Sequence, residues 1–168
     1  MFPDHIKKLA EEVLDIYRKA GKKIATAESC TGGLLGGALT EIPGSSDVYQ
    51  GGIISYANET KVGLLGVDPK ALQEHGAVSE ETAAYMALGT LEYIDADVSV
   101  SVTGIAGPDG GSDEKPVGTV WFGMGILSGE DDINIHTGRF VFDGDRHDIR
   151  MGAVETALNM LKEGLNAE

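Results

Sequence analysis

Cysteine is almost absent: Cys30 is the only one among 168 residues. A single thiol excludes an intrachain disulfide framework and a Cys-rich zinc site. Positive charge is also scarce, with 13 Lys and Arg against 27 Asp and Glu, a net of −14. Nucleic-acid binding leans on Lys and Arg neutralising phosphates. No basic stripe interrupts this acidic background, which argues against nucleic acid as the main partner. Long apolar runs are missing too. Nothing approaches the ~18 to 20 residues needed to cross a bilayer. The start, "MFPDHIKKLAEEVLDIY", carries acids and amphipathic spacing in place of a basic segment followed by an apolar one. These absences leave an expectation of a soluble, cytoplasmic protein with no membrane partner.

What is present is enough for a core. At 42% hydrophobic composition, a chain of this length buries ~70% of its unfolded surface without needing disulfides or a structural metal. The 24 glycines fall at punctuation points and form no low-complexity tract. No repeat or linker divides the chain, so residues 1–168 are expected to form one domain.

The periodicity predicts a helix over 3–20, with Ile6, Leu9, Ala10, Val13, Leu14 and Tyr17 on one face and Gly21 at its left-handed cap. A strand is predicted over 22–28, a helix over 32–42 and a strand over 51–58. Two short helices follow, closed by Gly66 and Gly76. Ser79 with Glu80 and Glu81 marks a helix running to about 93, because a hydroxyl cap and first-turn acids suit a helix N-terminus. A strand over 96–104, a Gly/Pro/Asp-rich loop over 104–117, two further strands around "SGEDD", and a last helix capped by Asp145 complete the pattern. This is an α/β chain, expected to form a three-layer α/β/α sandwich around a mixed, mostly parallel sheet with a late antiparallel hairpin.

Ligands bind beyond the carboxyl ends of strands in open α/β sheets, and three loops at such positions carry chemistry. "AESCTGG" (27–33) places two candidate nucleophiles, Ser29 and Cys30, at a Gly-rich turn. Backbone N–H groups there suit a phosphate or an oxyanion, although the turn lacks the Lys of a P-loop. Thiols are the better nucleophiles, but a Cys beside a helix start is commonly a small buried residue. "SYANETK" (55–61) offers Tyr56 and Lys61. The histidines are poorly placed for a Ser–His–Asp triad, so a desolvated Lys or a tyrosinate is the open alternative as base. "SVTGIAGPDGG" (101–111) puts Thr103 and Gly104 at a strand end. The acids that follow, Asp109, Asp113 and Glu114, match no calcium or zinc motif, so no metal site and no cofactor are expected. Arg146 and Arg150 share one face at the start of the last helix. They are candidates to hold a phosphate or carboxylate, with pairing to Asp143, Asp145 or Asp148 as the alternative.

In order and spacing, "TAESCTGG", "IPGSSDVYQGGIISYANETK", "HGAVSEETA", "SVTGIAGPDGG", "KPVGTVWFG" and "GDRHDIR" resemble the CinA C-terminal domain family, over about residues 5–165. That family includes stand-alone nicotinamide mononucleotide amidases. The resemblance implies a three-layer α/β fold and metal-independent hydrolysis of the carboxamide of nicotinamide mononucleotide, giving nicotinic acid mononucleotide and ammonia in pyridine nucleotide salvage. It also implies Ser29 as nucleophile, Lys61 as activating base and Tyr56 as a participant in the proton relay. Substrate contacts are then expected from Cys30, Thr31, Gly32, Gly33, Thr103, Gly104, Arg146 and Arg150, the backbone N–H groups of 30–33 forming an oxyanion hole. The partner is a small-molecule nucleotide substrate. A homo-oligomer is expected, since small α/β enzymes of this kind often associate. Against longer members, the chain reads as the amidase-like domain alone, without their N-terminal domain. Two alternatives remain: a Cys30 thiol amidase, and a non-catalytic nucleotide-binding or regulatory domain of the same fold.

Overall fold

A computed structural model describes residues 1–167. The first helix, α1 (Asp4–Ala20), buries Ile6, Ala10, Val13, Leu14 and Tyr17 and ends on Gly21 at φ 65°. There the amides of Gly21 and Lys22 return to the carbonyls of Arg18 and Tyr17, closing the last turn as a left-handed cap does. Strand β1 (Ile24–Glu28) is buried along its whole length, as a central strand covered on both faces must be. Helix α2 (Leu34–Thr40) leads to β2 (Tyr49–Ile54), then α3 (Asn58–Leu65), α4 (Pro69–His75) and α5 (Glu80–Tyr93). Strands β3 (Val98–Gly104), β4 (Thr119–Leu127) and β5 (Ile133–Val141) and helix α6 (Arg146–Gly164) complete the order.

The sheet runs β2-β1-β3-β4-β5. β1 pairs in parallel with β2 and β3, whereas β4 pairs antiparallel with both β3 and β5. Four strands therefore point one way and β4 alone the other. The main core lies between the sheet and α1, α2 and α6. A smaller cluster, with Ala27, Ile53, Leu65, Val67 and Met86, covers the opposite face under α3 and α5. The result is the three-layer α/β architecture expected from the alternation of elements.

Boundaries differ from the expectation at one place that matters. The second strand ends at Ile54 and not at residue 58. The amide of Ser55 still donates to the Glu28 carbonyl at 2.8 Å, after which the chain turns away and Asn58 starts α3. Caps fall as expected: Ser79 accepts from the Thr82 amide, and Asp145 forms a reciprocal capping box with Asp148. Because β1 connects to β2 over one face and β2 to β3 over the other, the carboxyl ends of β2, β1 and β3 open into one crevice. That is the usual place for a ligand in such a sheet.

Candidate active site

At that crevice lies a cavity of about 280 Å³, at the small end of the range for small-molecule sites. Ser29 and Cys30, from the turn after β1, and Lys61 on α3 line its inner part. Tyr56 and Asn58 follow β2, Thr103 and Gly104 end β3, and Arg146 reaches in from α6. None of the four histidines lines it.

Its floor is built around Lys61, a lysine only 1% exposed. Nζ lies 2.9 Å from Ser29 Oγ, 2.7 Å from the Ser55 carbonyl and 3.2 Å from the Tyr56 carbonyl. All three partners are neutral. Burial therefore dominates and pushes the amine below the ordinary lysine pKa. Two of those partners can only accept. They fix two N–H bonds of the lysine, and the third tetrahedral position faces Ser29. In the ammonium form that position donates to Oγ; in the neutral amine it is a lone pair ready to take the hydroxyl proton.

Cys30 sits beside this pair with a different character. It is 5% exposed and packs into the main core. Burial pushes its thiol up to about 11, only partly offset by its own backbone amide. A thiol held protonated is a poor nucleophile.

The sequence reading missed Glu28, the last residue of β1. It is 2% exposed, and its carboxylate accepts the amides of Gly33, Leu35 and Gly36 at 3.2, 2.9 and 3.0 Å. A carboxylate at a helix start is favoured by the helix dipole and by charge-assisted hydrogen bonds. The N–H cradle considered as a phosphate site is thus filled by the chain's own side chain. The legible signal was an acid closing an otherwise uncharged strand, directly before Ser29.

The four amides expected to form an oxyanion hole divide in two. Gly33 donates to Glu28 and Gly32 donates to the Ser29 carbonyl at 3.0 Å. Those of Cys30 and Thr31 donate to no carbonyl or carboxylate among the described residues. Gly32 and Gly33 occupy positive φ, 57° and 99°, which is where the tight turn needs glycine. Thr31, Gly32 and Gly33 do not line the cavity, and the Thr31 hydroxyl is buried with no hydrogen-bond partner.

The two arginines also separate. Arg146 lines the cavity, donating to the Gly107 carbonyl at 2.7 Å and to the Tyr56 hydroxyl at 3.2 Å. Arg150 does not reach it. Its Nε donates to the Cys30 carbonyl at 3.0 Å and Nη2 to the Thr31 carbonyl at 3.1 Å. Neither arginine is paired with Asp143, Asp145 or Asp148. The Tyr56 phenol, on a residue 63% exposed, is placed with Arg146 at the rim; it is the Tyr56 main-chain carbonyl that reaches Lys61. Thr103 is buried and donates its hydroxyl to the Ala77 carbonyl at 2.7 Å. Asp109, Asp113 and Glu114 are exposed.

The family model described as "CinA C-terminal domain" matches residues 6–165. A CinA-like protein of Chlorobaculum tepidum is 49% identical over 153 residues, covering 91% of this chain but 36% of that protein. The chain thus spans about a third of the length of that relative. The nicotinamide-nucleotide amidohydrolase PncC of Escherichia coli is 44% identical over 161 residues, covering 96% of this chain and 95% of that one. Among solved structures, the competence/damage inducible protein CihA from Agrobacterium tumefaciens superposes with a TM-score of 0.90 at 45% identity. The match covers 99% of this chain and 98% of that chain.

Proposed function

The chain belongs to the CinA C-terminal domain family, and from that premise we propose that it is a nicotinamide-nucleotide amidase using Ser29 as nucleophile and Lys61 as base. The observation that carries this reading is the 2.9 Å contact between a desolvated amine and a serine hydroxyl at the floor of a cavity. The full-length relative named nicotinamide-nucleotide amidohydrolase supplies the substrate class.

The chemistry runs in two halves. Neutral Lys61 takes the Ser29 hydroxyl proton as Oγ attacks the carboxamide carbon, and the carbonyl oxygen becomes an oxyanion. The Cys30 amide, at the cavity wall, and the Thr31 amide next to it are the donors free to receive that charge. The intermediate collapses, the C–N bond breaks, and the lysine proton leaves with the nitrogen as ammonia. Water then attacks the Ser29 ester, Lys61 accepts its proton, and the serine departs with that proton restored. Carboxamide and water have become carboxylic acid and ammonia, which near neutral pH exchange a proton to carboxylate and ammonium.

Tyr56 joins this scheme through its carbonyl, which helps hold the lysine lone pair on Ser29. Its phenol and Arg146 form the cationic rim that would meet the nucleotide phosphate. A nucleotide is the small-molecule partner, the reaction serves pyridine nucleotide salvage in the cytoplasm, and the active form is a homo-oligomer; these extend the same reading.

Ammonia release from nicotinamide mononucleotide tests it. The wild type is expected to turn over, Ser29→Ala to lose ~10⁴-fold or more in kcat, and Cys30→Ala to keep its activity because only the Cys30 amide takes part. Activity that survives in Ser29→Ala and disappears in Cys30→Ala would establish a thiol mechanism instead. Ligand binding without ammonia release would make the domain a binding module.

A further inference from the structure

The turn after β1 has a bonding pattern that the serine reaction does not by itself explain. From Gly32 to Gly36 every main-chain amide is engaged. Gly32 donates to the Ser29 carbonyl and Leu34 to that of Thr31, at 3.0 and 3.1 Å. Gly33, Leu35 and Gly36 donate to Glu28. On the carbonyl side, Arg150 spans Cys30 and Thr31 with two donors of one planar guanidinium. A Cβ on Gly32 would lie in ordinary contact with the Arg150 Nη2, at 3.4 Å. One buried anion therefore grips the N–H groups of this segment, and one cation from the far end of the chain grips its carbonyls.

Peptide geometry turns this double grip into a directional device. In a trans peptide the C=O of one residue and the N–H of the next point to opposite sides of the chain. Arg150 holds the Thr31 carbonyl, so the Gly32 N–H faces the other way, where it meets the Ser29 carbonyl. The Ser29 carbonyl is in turn held on that side, so the Cys30 N–H faces away from it. Holding the Cys30 carbonyl fixes the Thr31 N–H by the same rule. The Cys30 and Thr31 amides, which meet no oxygen acceptor among the described residues, are the two whose directions these constraints set.

We propose that Glu28 and Arg150 are positioning residues for catalysis, holding the Cys30 and Thr31 amides where the oxyanion of a Ser29 adduct forms. This rests on the serine-amidase reading, and it removes Arg150 from the substrate ligands while leaving Arg146 among them. Arg suits the task better than Lys, because a planar fork holds two carbonyls at a fixed separation and a single ammonium does not.

The test uses the full chain with Glu28→Gln, Arg150→Ala and Arg150→Lys, each checked for a cooperative thermal transition. Two rates are measured: ammonia release from nicotinamide mononucleotide, and covalent labelling of Ser29 by a small fluorophosphonate, followed by mass. The second needs a nucleophile and oxyanion donors but no particular substrate. Glu28→Gln and Arg150→Ala are expected to lower kcat ~10²-fold, the scale of a misplaced oxyanion donor, with KM within about twofold. Labelling is expected to slow in parallel. Arg150→Lys falls between, and millimolar guanidinium restores part of the labelling rate in Arg150→Ala. A rise in KM at unchanged kcat would overturn the proposal by making Arg150 a substrate ligand. Folded variants with unchanged kcat and labelling would overturn it by leaving the clamp a purely structural role. A wild type that releases no ammonia but is labelled, with the same losses in the variants, would refute the substrate and keep the clamp. A wild type left unlabelled at Ser29 would overturn both.

Discussion

The floor and the rim of the cavity are built in opposite ways. On the floor, Lys61, Glu28 and Ser29 are 1%, 2% and 8% exposed; the Lys61 amine meets three oxygens, one of them Ser29 Oγ, and the Glu28 carboxylate accepts three amides. At the rim, Tyr56 is 63% exposed, and its phenol shares a single 3.2 Å contact with Arg146. Buried polar groups that are fully partnered hold one geometry, because leaving any of them unpaired is expensive. Exposed groups with one contact are free to rearrange around an arriving ligand. Under the proposed amidase reading, bond-making falls to the floor and ligand selection to the rim, and substitutions should separate the two in kinetics.

The largest separation is expected at Lys61. Lys61→Met keeps a long apolar stem but removes the proton acceptor, and kcat should fall ~10²- to 10⁴-fold, the usual contribution of general acid–base catalysis. KM should change little, since the amine faces the serine and two carbonyls. At the rim the pattern should invert. Arg146→Ala is expected to raise KM ~10- to 100-fold, corresponding to ~1.5 to 3 kcal/mol for a hydrogen bond to a charged group, with kcat within a few fold. Steady-state kinetics on both variants decide the matter, and a kcat defect in Arg146→Ala would dissolve the distinction. Tyr56→Phe sharpens it further. The carbonyl that holds Lys61 survives this change, so kcat should stay near wild type. A loss matching that of Lys61→Met would return the phenol to the proton relay.

Legibility in the sequence follows the same division. The layers, the caps at Gly21, Ser79 and Asp145, and the three loops at strand ends were readable because periodicity and turn chemistry are local signals. The second strand was overrun by four residues: "SYAN" has strand-like composition, yet Asn58 already opens α3. The pairing of Ser29 with Lys61 was suggested by residue type and by the family resemblance, while its distance and burial needed the fold. Glu28 was missed because its partners lie five to eight residues ahead, in the Gly-rich turn and first residues of α2, whose amides suit a phosphate equally well. The contacts of Arg150 are hidden from the sequence for a related reason. Its spacing from Arg146 implied a common partner, but the Cys30 and Thr31 carbonyls it binds lie 120 and 119 residues away. No local pattern encodes contacts of that range.

The smallest expected effect probes the floor without any substrate. Burial lowers the Lys61 pKa in the folded chain, whereas in the unfolded chain the amine titrates near its ordinary value of about 10.4. Between those two values the unfolded state binds more protons than the folded one, so stability rises with pH across that window. Below the folded-state value both states are protonated, and the slope from this group vanishes. Melting curves of wild type and Lys61→Met, taken from neutral pH upward, isolate it, because every other titrating group is common to both. Wild type should gain stability relative to the variant as pH rises toward that of an ordinary lysine. A relative loss would mean that the fold favours the ammonium. Parallel curves would mean that the amine keeps its ordinary proton affinity in the fold, and Ser29 would then lack a base competent near neutral pH.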